Sequence, residues 1–298
     1  MNVLSLFDGM SCGQIALERA GINVSKYYAA ELDKYAITVT QANYPNTIQL
    51  GDVTAWREWG IDWSSIDLLI GGSPCQGFSF AGKQLAFDDP RSKLFFVYVD
   101  ILNHIRSVNP DVKFMLENVK MKKEYLGVIS EHLGVDPVFI NSALVSAQNR
   151  QRYYWANWEF GQPKDKGLVL ADVIENGGVD RDKAHCIDAN YYKGGNLKSY
   201  FAKSRRQLVF TEKSRALLST MYKENAKSMI KRNKKGWLVL DEGLITYRKL
   251  TPIECERLQT VPSGYTAHVS NTQRYKMLGN GFTVEVISHI LSCNDWTV

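Results

Sequence analysis

The sequence predicts an α/β fold: a doubly wound parallel sheet joined to a smaller, irregular domain. Three observations carry this expectation. Short apolar strands alternate with helical patterns through roughly the first 120 residues, the rhythm dissolves between about residues 161 and 243, and a helical pattern returns at the end of the chain.

In order, residues 3–7 form an apolar strand and residues 15–20 a helix that Gly21 stops. Residues 27–32 are the next strand, 33–43 the next helix, 67–71 an apolar strand, 92–109 a long helix and 113–117 a further strand. From 161 to 243 the chain is rich in Gly, Lys and Asn, with Gly177-Gly178 and Gly194-Gly195 as breakers. Residues 252–258 are helical, and a Gly279-Asn280-Gly281 turn precedes a last helix over 284–291. The division that follows is 1–160 for the main domain, 161–271 for the smaller one and 272–298 for a segment returning to the first.

Composition narrows the function classes. No apolar run approaches the roughly 20 residues that span a bilayer, and the N-terminus lacks the basic region and cleavage site of a signal peptide. A cytoplasmic protein with no membrane partner is expected. Five cysteines (Cys12, Cys75, Cys186, Cys255, Cys293), widely spaced and without a CxxC pair, suggest neither a disulfide framework nor a metal site. Charge is unevenly spread: residues 1–150 hold 13 Lys/Arg against 16 Asp/Glu, and residues 151–298 hold 23 against 15. Within the second half, residues 193–235 carry 13 Lys/Arg and two acids, with Tyr200, Phe201, Phe210 and Tyr222 interleaved, a composition suited to a polyanion.

Doubly wound sheets bind ligands at the carboxyl ends of their strands. Here those ends read Phe7-Asp8-Gly9, Glu31, Asp52, Gly72-Ser73-Pro74-Cys75 and Glu117-Asn118. The first turn, Phe7 to Gly13, lacks the GxGxxG pattern of dinucleotide binders but lets backbone approach a ligand. A carboxylate at Glu31 can accept both hydroxyls of a ribose, and Asp52 an adenine amino group, so the series favours an adenosyl ligand. Gly-Gly-Ser-Pro-Cys-Gln is a poor core sequence, and its rigid turn presents Cys75 as a nucleophile. Glu117 follows a buried run directly and could hold or share a proton on a substrate base. Arg150 and Arg152 alternate and, on a strand, would share one face able to fix a phosphate or a carbonyl oxygen.

These residues resemble the C5-cytosine DNA methyltransferase family. Its ordered motifs stand in this chain as LFDGMSCG, AELDKYA, GDV, GGSPCQGFS, LENV, QNRQR, RKLTPIECERLQ and LGNGFTV. The resemblance implies a Rossmann-like AdoMet methyltransferase domain, a small target-recognition domain, and transfer of a methyl group from S-adenosyl-L-methionine to C5 of a cytosine flipped out of duplex DNA. It implies that Cys75 adds to C6, that Glu117 contacts N3 and the exocyclic amine, and that Arg152 contacts O2 with Arg150 supporting the site. The cofactor cradle it implies comprises Phe7, Asp8, Gly9, Met10, Ser11, Cys12, Glu31, Leu32, Asp52, Val53, Pro74, Asn280, Gly281 and Phe282. The stretch through Gly77, Gly82 and Asp88-Asp89-Pro90-Arg91 resembles the loop that closes over the flipped base. Double-stranded DNA is the implied partner, with a cognate restriction enzyme at the level of a restriction-modification system.

Two departures stand out. The first motif, with Ser11 and Cys12, is closer to the animal de novo methyltransferases than to glycine-dense bacterial members, and Leu32 stands where many bacterial members place a tryptophan. Three other readings are weighed. An RNA cytosine-C5 methyltransferase shares most motifs, but the Cys-Phe-Thr signature of those relatives is absent. A catalytically silent DNA-binding relative would usually lose the Pro-Cys turn, and a nicotinamide enzyme would need the missing GxGxxG.

Overall fold

The computed structural model describes residues 1–73, 93–212, 230–232, 238–240 and 245–296. Pro74, Cys75, the loop through Arg91 and much of the basic run after residue 212 lie outside the described residues.

The first half alternates as expected: β1 (Asn2–Leu6), α1 (Cys12–Arg19), β2 (Lys26–Ala30), α2 (Lys34–Asn43), β3 (Ile48–Gln49), β4 (Leu68–Gly71), α3 (Lys93–Val108) and β5 (Lys113–Val119). Then follow α4 (Lys123–Leu133), β6 (Val138–Asn141), β7 (Gln151–Ala156) and α5 (Leu197–Lys203). The remaining elements are β8 (Leu208–Glu212), β9 (Ile230–Arg232), β10 (Leu238–Leu240), β11 (Ile245–Lys249), α6 (Pro252–Leu258), α7 (Asn271–Asn280) and α8 (Val284–Ser292).

Seven strands form one sheet in the order β3-β2-β1-β4-β5-β7-β6. Strands β1 to β5 pair in parallel, but β7 runs antiparallel to both neighbours, so the sheet is mixed where the sequence suggested a wholly parallel one. The cause is the connection: only residues 142–150 separate β6 from β7, too few for a parallel crossover and enough for an antiparallel return.

Alternation along the strands divides the core between the two faces. Leu4, Leu6, Leu69, Phe114, Leu116 and Trp155 pack with α3 residues such as Phe95, Tyr98 and Leu102. Val3, Leu68, Ile70, Met115 and Tyr154 point the other way, into a cluster with Ile15 and Leu17 of α1, Ile287 and Ile290 of α8, and Tyr191, Val209, Leu250 and Cys255 from the second half. That second cluster is continuous, so the irregular region shares its core with the sheet. Trp158 Nε1 donates to the Ile290 carbonyl at 2.9 Å, and Arg19 pairs with Glu285 at 2.8 Å, tying α8 to the first half.

Local chemistry fixes the helix ends. Asp33 accepts from the Tyr35 amide to start α2, and Gly134, left-handed at φ 74°, closes α4. Thr251 and Glu254 form a reciprocal capping box around Pro252, which suits the first position of α6. In the irregular region β8 and β11 pair antiparallel, with Thr211 opposite Thr246. The turn expected at Gly279-Asn280-Gly281 is shorter than the sequence suggested, because Gly279 and Asn280 are the last residues of α7. The polar run Asn271-Thr-Gln-Arg hides that helix: its buried residues are confined to Tyr275, Met277, Leu278 and Gly279. Among the described residues no helix is long and apolar enough to cross a membrane.

Candidate active site

At the end of β1 the chain turns through three left-handed residues, Phe7 (φ 57°), Gly9 (φ 61°) and Ser11 (φ 58°). For Phe and Ser this conformation is costly, so surrounding contacts must hold it. Glu31, at the end of β2, does much of that. Its Oε2 accepts from the Gly9 amide at 2.8 Å, and its Oε1 accepts from the Leu32 and Asp33 amides at 2.8 and 2.7 Å. A carboxylate has about four acceptor positions, so one remains for a ligand hydroxyl. A Cβ placed on Gly9 would meet nothing within 4 Å, so this side of the turn is open. Leu32, beside Glu31, is 68% exposed.

Asp8 points the opposite way. Its carboxylate is buried and accepts from the Tyr27 hydroxyl at 2.7 Å and from the Ser11 hydroxyl, which in turn accepts from Thr40 at 3.1 Å. Burial is the largest influence and pushes the Asp8 carboxyl up to about 6. Asp8 therefore anchors the turn from behind, with its amide donating to the Ala30 carbonyl at 3.2 Å and its carbonyl accepting from the Ser11 amide at 3.2 Å. Met10 is buried and its carbonyl accepts from the Tyr265 hydroxyl at 2.7 Å. Asp52 caps the short helix Val53–Glu58, accepting from the Thr54 amide at 2.8 Å, and Val53 is buried.

Cys12 is buried, and loss of solvation pushes its thiol up to about 12, so it is no nucleophile at neutral pH. Burial raises the Cys255 thiol as well.

The second half of the site lies at the ends of β4, β5 and β7. Glu117 Oε1 meets Arg152 Nε at 2.7 Å, with side-chain exposures of 12% and 14%. Antiparallel register explains the meeting: Val119 lies opposite Arg152 and Glu117 opposite Tyr154, so the two charged residues are diagonal neighbours on one face. Gly72 leaves room for this pair, since a Cβ there would lie 2.8 Å from the Phe282 ring and 3.1 Å from Glu117 Oε2. Buried Asn118 donates to the buried Ser73 hydroxyl at 3.1 Å, fixing the chain two residues before Cys75.

Arg150, just ahead of β7, is 3% exposed and its guanidinium is spent on backbone. It donates to the carbonyls of Ile187 (3.1 Å), Gly279 (3.2 Å) and Gly281 (2.8 Å). Gly281 in turn packs against Met10 and Cys12, where an added Cβ would lie 3.2 Å from each side chain. The Gly281-Phe282 turn thus joins the two halves of the site. Residues that sequence reasoning did not single out do much of the holding, namely Tyr27, Thr40 and Tyr265 behind the first turn; Gly279, read from the sequence only as part of a turn, also packs closely, since its Cβ would sit 2.2 Å from the Asp188 backbone carbon. Tyrosines in an apolar pattern read as core; only their hydroxyl partners reveal the further role. Among the described residues no group of three or more His, Cys, Asp or Glu is placed to hold a metal ion.

The architecture is that of a Rossmann-like methyltransferase. The crystal structure of a mutant of Spodoptera frugiperda DNMT2 shares the fold with a TM-score of 0.66, at 21% identity, over 97% of this chain and 98% of that one. The chain belongs to the C-5 cytosine-specific DNA methylase family, whose model matches residues 1–133 and 138–293. Among its relatives, the type II methyltransferase M1.ScrFI of Lactococcus lactis subsp. cremoris is 29% identical over 97% of this chain and 76% of the relative. The type II methyltransferase M.NlaX of Neisseria lactamica is 28% identical, over 97% and 94%.

Proposed function

We propose that the protein methylates C5 of a cytosine flipped out of duplex DNA, with Cys75 as covalent nucleophile and S-adenosyl-L-methionine as methyl donor. The observation that carries this reading is the Glu117–Arg152 pair, mostly buried and set against Gly72, three residues before Cys75. Such a pair offers a planar base one acceptor or acid and one rigid donor fork.

The residues present fit the cofactor. The open side of Gly9, the spare acceptor position on Glu31, the exposed Leu32 and the cap residue Asp52 form one edge, and Phe282 lies beside Gly72 on the other. The turn from Phe7 to Cys12, Glu31, Leu32, Asp52, Val53, Pro74 and Asn280 to Phe282 would hold it. When bound, it supplies an electrophilic methyl group. The Cys75 thiolate adds to C6, which makes C5 nucleophilic. Glu117 holds the N3 edge and the exocyclic amine, Arg152 fixes O2, and Arg150 acts at one remove by seating the Gly281-Phe282 turn. After transfer, loss of the C5 proton and elimination from C6 release the thiolate.

In this reading residues 1–160 are the catalytic domain, 161–271 the target-recognition domain and 272–298 the returning segment. The type II designation of the relatives supports a setting with a cognate restriction enzyme, and a cytoplasmic location belongs to the same reading. The test is transfer of tritiated methyl groups to duplex DNA and to tRNA, with Cys75→Ser and Glu117→Gln as variants. Cys75→Ser is expected to abolish transfer while retaining cofactor binding, and Glu117→Gln to slow it by about 100-fold or more. Normal turnover by the Cys75 variant, or transfer to tRNA alone, would overturn the proposal.

A further inference from the structure

The second half contains a basic cavity apart from the catalytic residues. Asn196, Lys203, Arg205 and Arg206 line a space of about 300 Å³. The chain around it is one-signed: between residues 189 and 211 stand Lys193, Lys198, Lys203, Arg205 and Arg206, and no carboxylate.

The cavity is built rather than incidental. Lys203 ends α5, and the chain then turns through two left-handed residues that are not glycine, Ser204 (φ 48°) and Arg206 (φ 60°). Strain of this kind persists where the surroundings enforce it, and it concentrates at ligand sites. Arg206 is pinned by donating to the Gly194 carbonyl at 2.7 Å, and Gly195 packs closely on it, since an added Cβ would lie 3.2 Å from both the Arg206 Cβ and the Arg206 carbonyl oxygen. Arg205 is steadied by Asp188 at 2.5 Å while half of its side chain stays exposed. Asp188 is the acid on this rim, and its other oxygen accepts from the Asn190 amide at 2.9 Å.

The same rim is joined to the active site. Gly279 lies directly on the Asp188-Ala189 backbone, and Arg150 ties the Ile187 carbonyl to those of Gly279 and Gly281. Whatever sits against Arg205 is therefore held in fixed relation to Phe282 and the Glu117–Arg152 pair. Cations converging on one cavity, with an amide beside them, match a phosphodiester oxygen pair. We propose that Lys203 and Arg205, with Arg206 as their support, grip a backbone phosphate of the bound DNA. The proposal rests on the reading of the protein as a DNA methyltransferase and adds to it a located contact.

The experiment measures binding of a fluorescent DNA duplex and of a fluorescent structured RNA by anisotropy over a range of salt concentrations. Lys203→Ala/Arg205→Ala is compared with Lys26→Ala/Lys113→Ala, which removes equal charge at the amino ends of β2 and β5, away from the site. The first pair is expected to lower the slope of log affinity against log salt by about 0.9 per lost contact, about an eightfold loss each at 0.1 M salt. The second pair leaves the slope unchanged, and Arg205→Lys retains most of it. Should the double variant misfold by circular dichroism, Arg205→Gln alone is expected to show the loss of one contact. Equal slopes for the two pairs, or a loss confined to structured RNA, would overturn the assignment. Failure of the unaltered protein to methylate duplex DNA would instead sink the functional reading on which it rests.

Discussion

Replacing Asp8 with Asn should stabilise the protein, and the gain should grow with pH. Asp8 is a buried carboxylate whose side-chain partners among the described residues are hydroxyls, including those of Tyr27 and Ser11. Burial raises it from the ordinary 3.8 to about 6. A carboxyl that holds its proton more tightly in the folded chain than in the unfolded one stabilises the fold at low pH, and that contribution is lost as pH climbs between the two values. The rise from 3.8 to about 6 corresponds to about 3 kcal/mol, present near neutrality as a cost of keeping the charge buried. Asn fills the same space, still accepts one hydroxyl and donates to the other, and carries no charge. Urea unfolding of both proteins from about pH 4 to pH 7 reads the effect as the difference between them, which cancels the titration of every other group. The Asp8→Asn protein should gain up to about 3 kcal/mol over the original across that window, less whatever the weaker neutral hydrogen bonds forfeit. A difference that stays flat with pH would refute the assignment of a buried, ionisation-resisting carboxyl to the turn.

Two further substitutions probe the packing between the halves of the chain. Gly279→Ala would force a Cβ to within 2.2 Å of the Asp188 backbone carbon and 2.4 Å of the Ala189 nitrogen, neither of which can swing aside, so a loss of about 2 kcal/mol or more is expected in urea unfolding. Gly127→Ala is the matched control, since it lies within α4 with nothing in 4 Å of its added carbon, and should instead stabilise by about 0.5–1 kcal/mol. Arg150→Met keeps the bulk but strips the donors from three carbonyls, and should cost about 3 kcal/mol while increasing proteolytic cutting within residues 161–271.

Sequence reasoning recovered the elements whose cause is local. The short apolar runs that became β1, β4 and β5 are buried on both faces because both faces are covered, and the glycine stop after α1 and the capping box of α6 act within a few residues. The site was legible where residue type and strand end coincide, as at Glu31 and Glu117. It was not legible where the partner is distant. Nothing local says that Asp8 turns inward toward Tyr27, that Arg150 finds a carbonyl 131 residues away, or that β7 reverses direction. Helix α7 escaped for a different reason: much of its surface is polar, so no stripe announced it.

The joint between the second half of the chain and the candidate site is made mostly from main-chain atoms. Arg150 binds the Ile187 carbonyl, Gly279 rests on the Asp188-Ala189 backbone, and Gln148 and Gln259 reach the Leu258 and Leu278 carbonyls. A seat of that kind does not depend on which side chains the guest segment carries. If residues 161–271 are the target-recognition domain, as proposed, residues on their outer face can be exchanged, and new target sequences explored, without rebuilding the mount that aligns them with the catalytic chemistry.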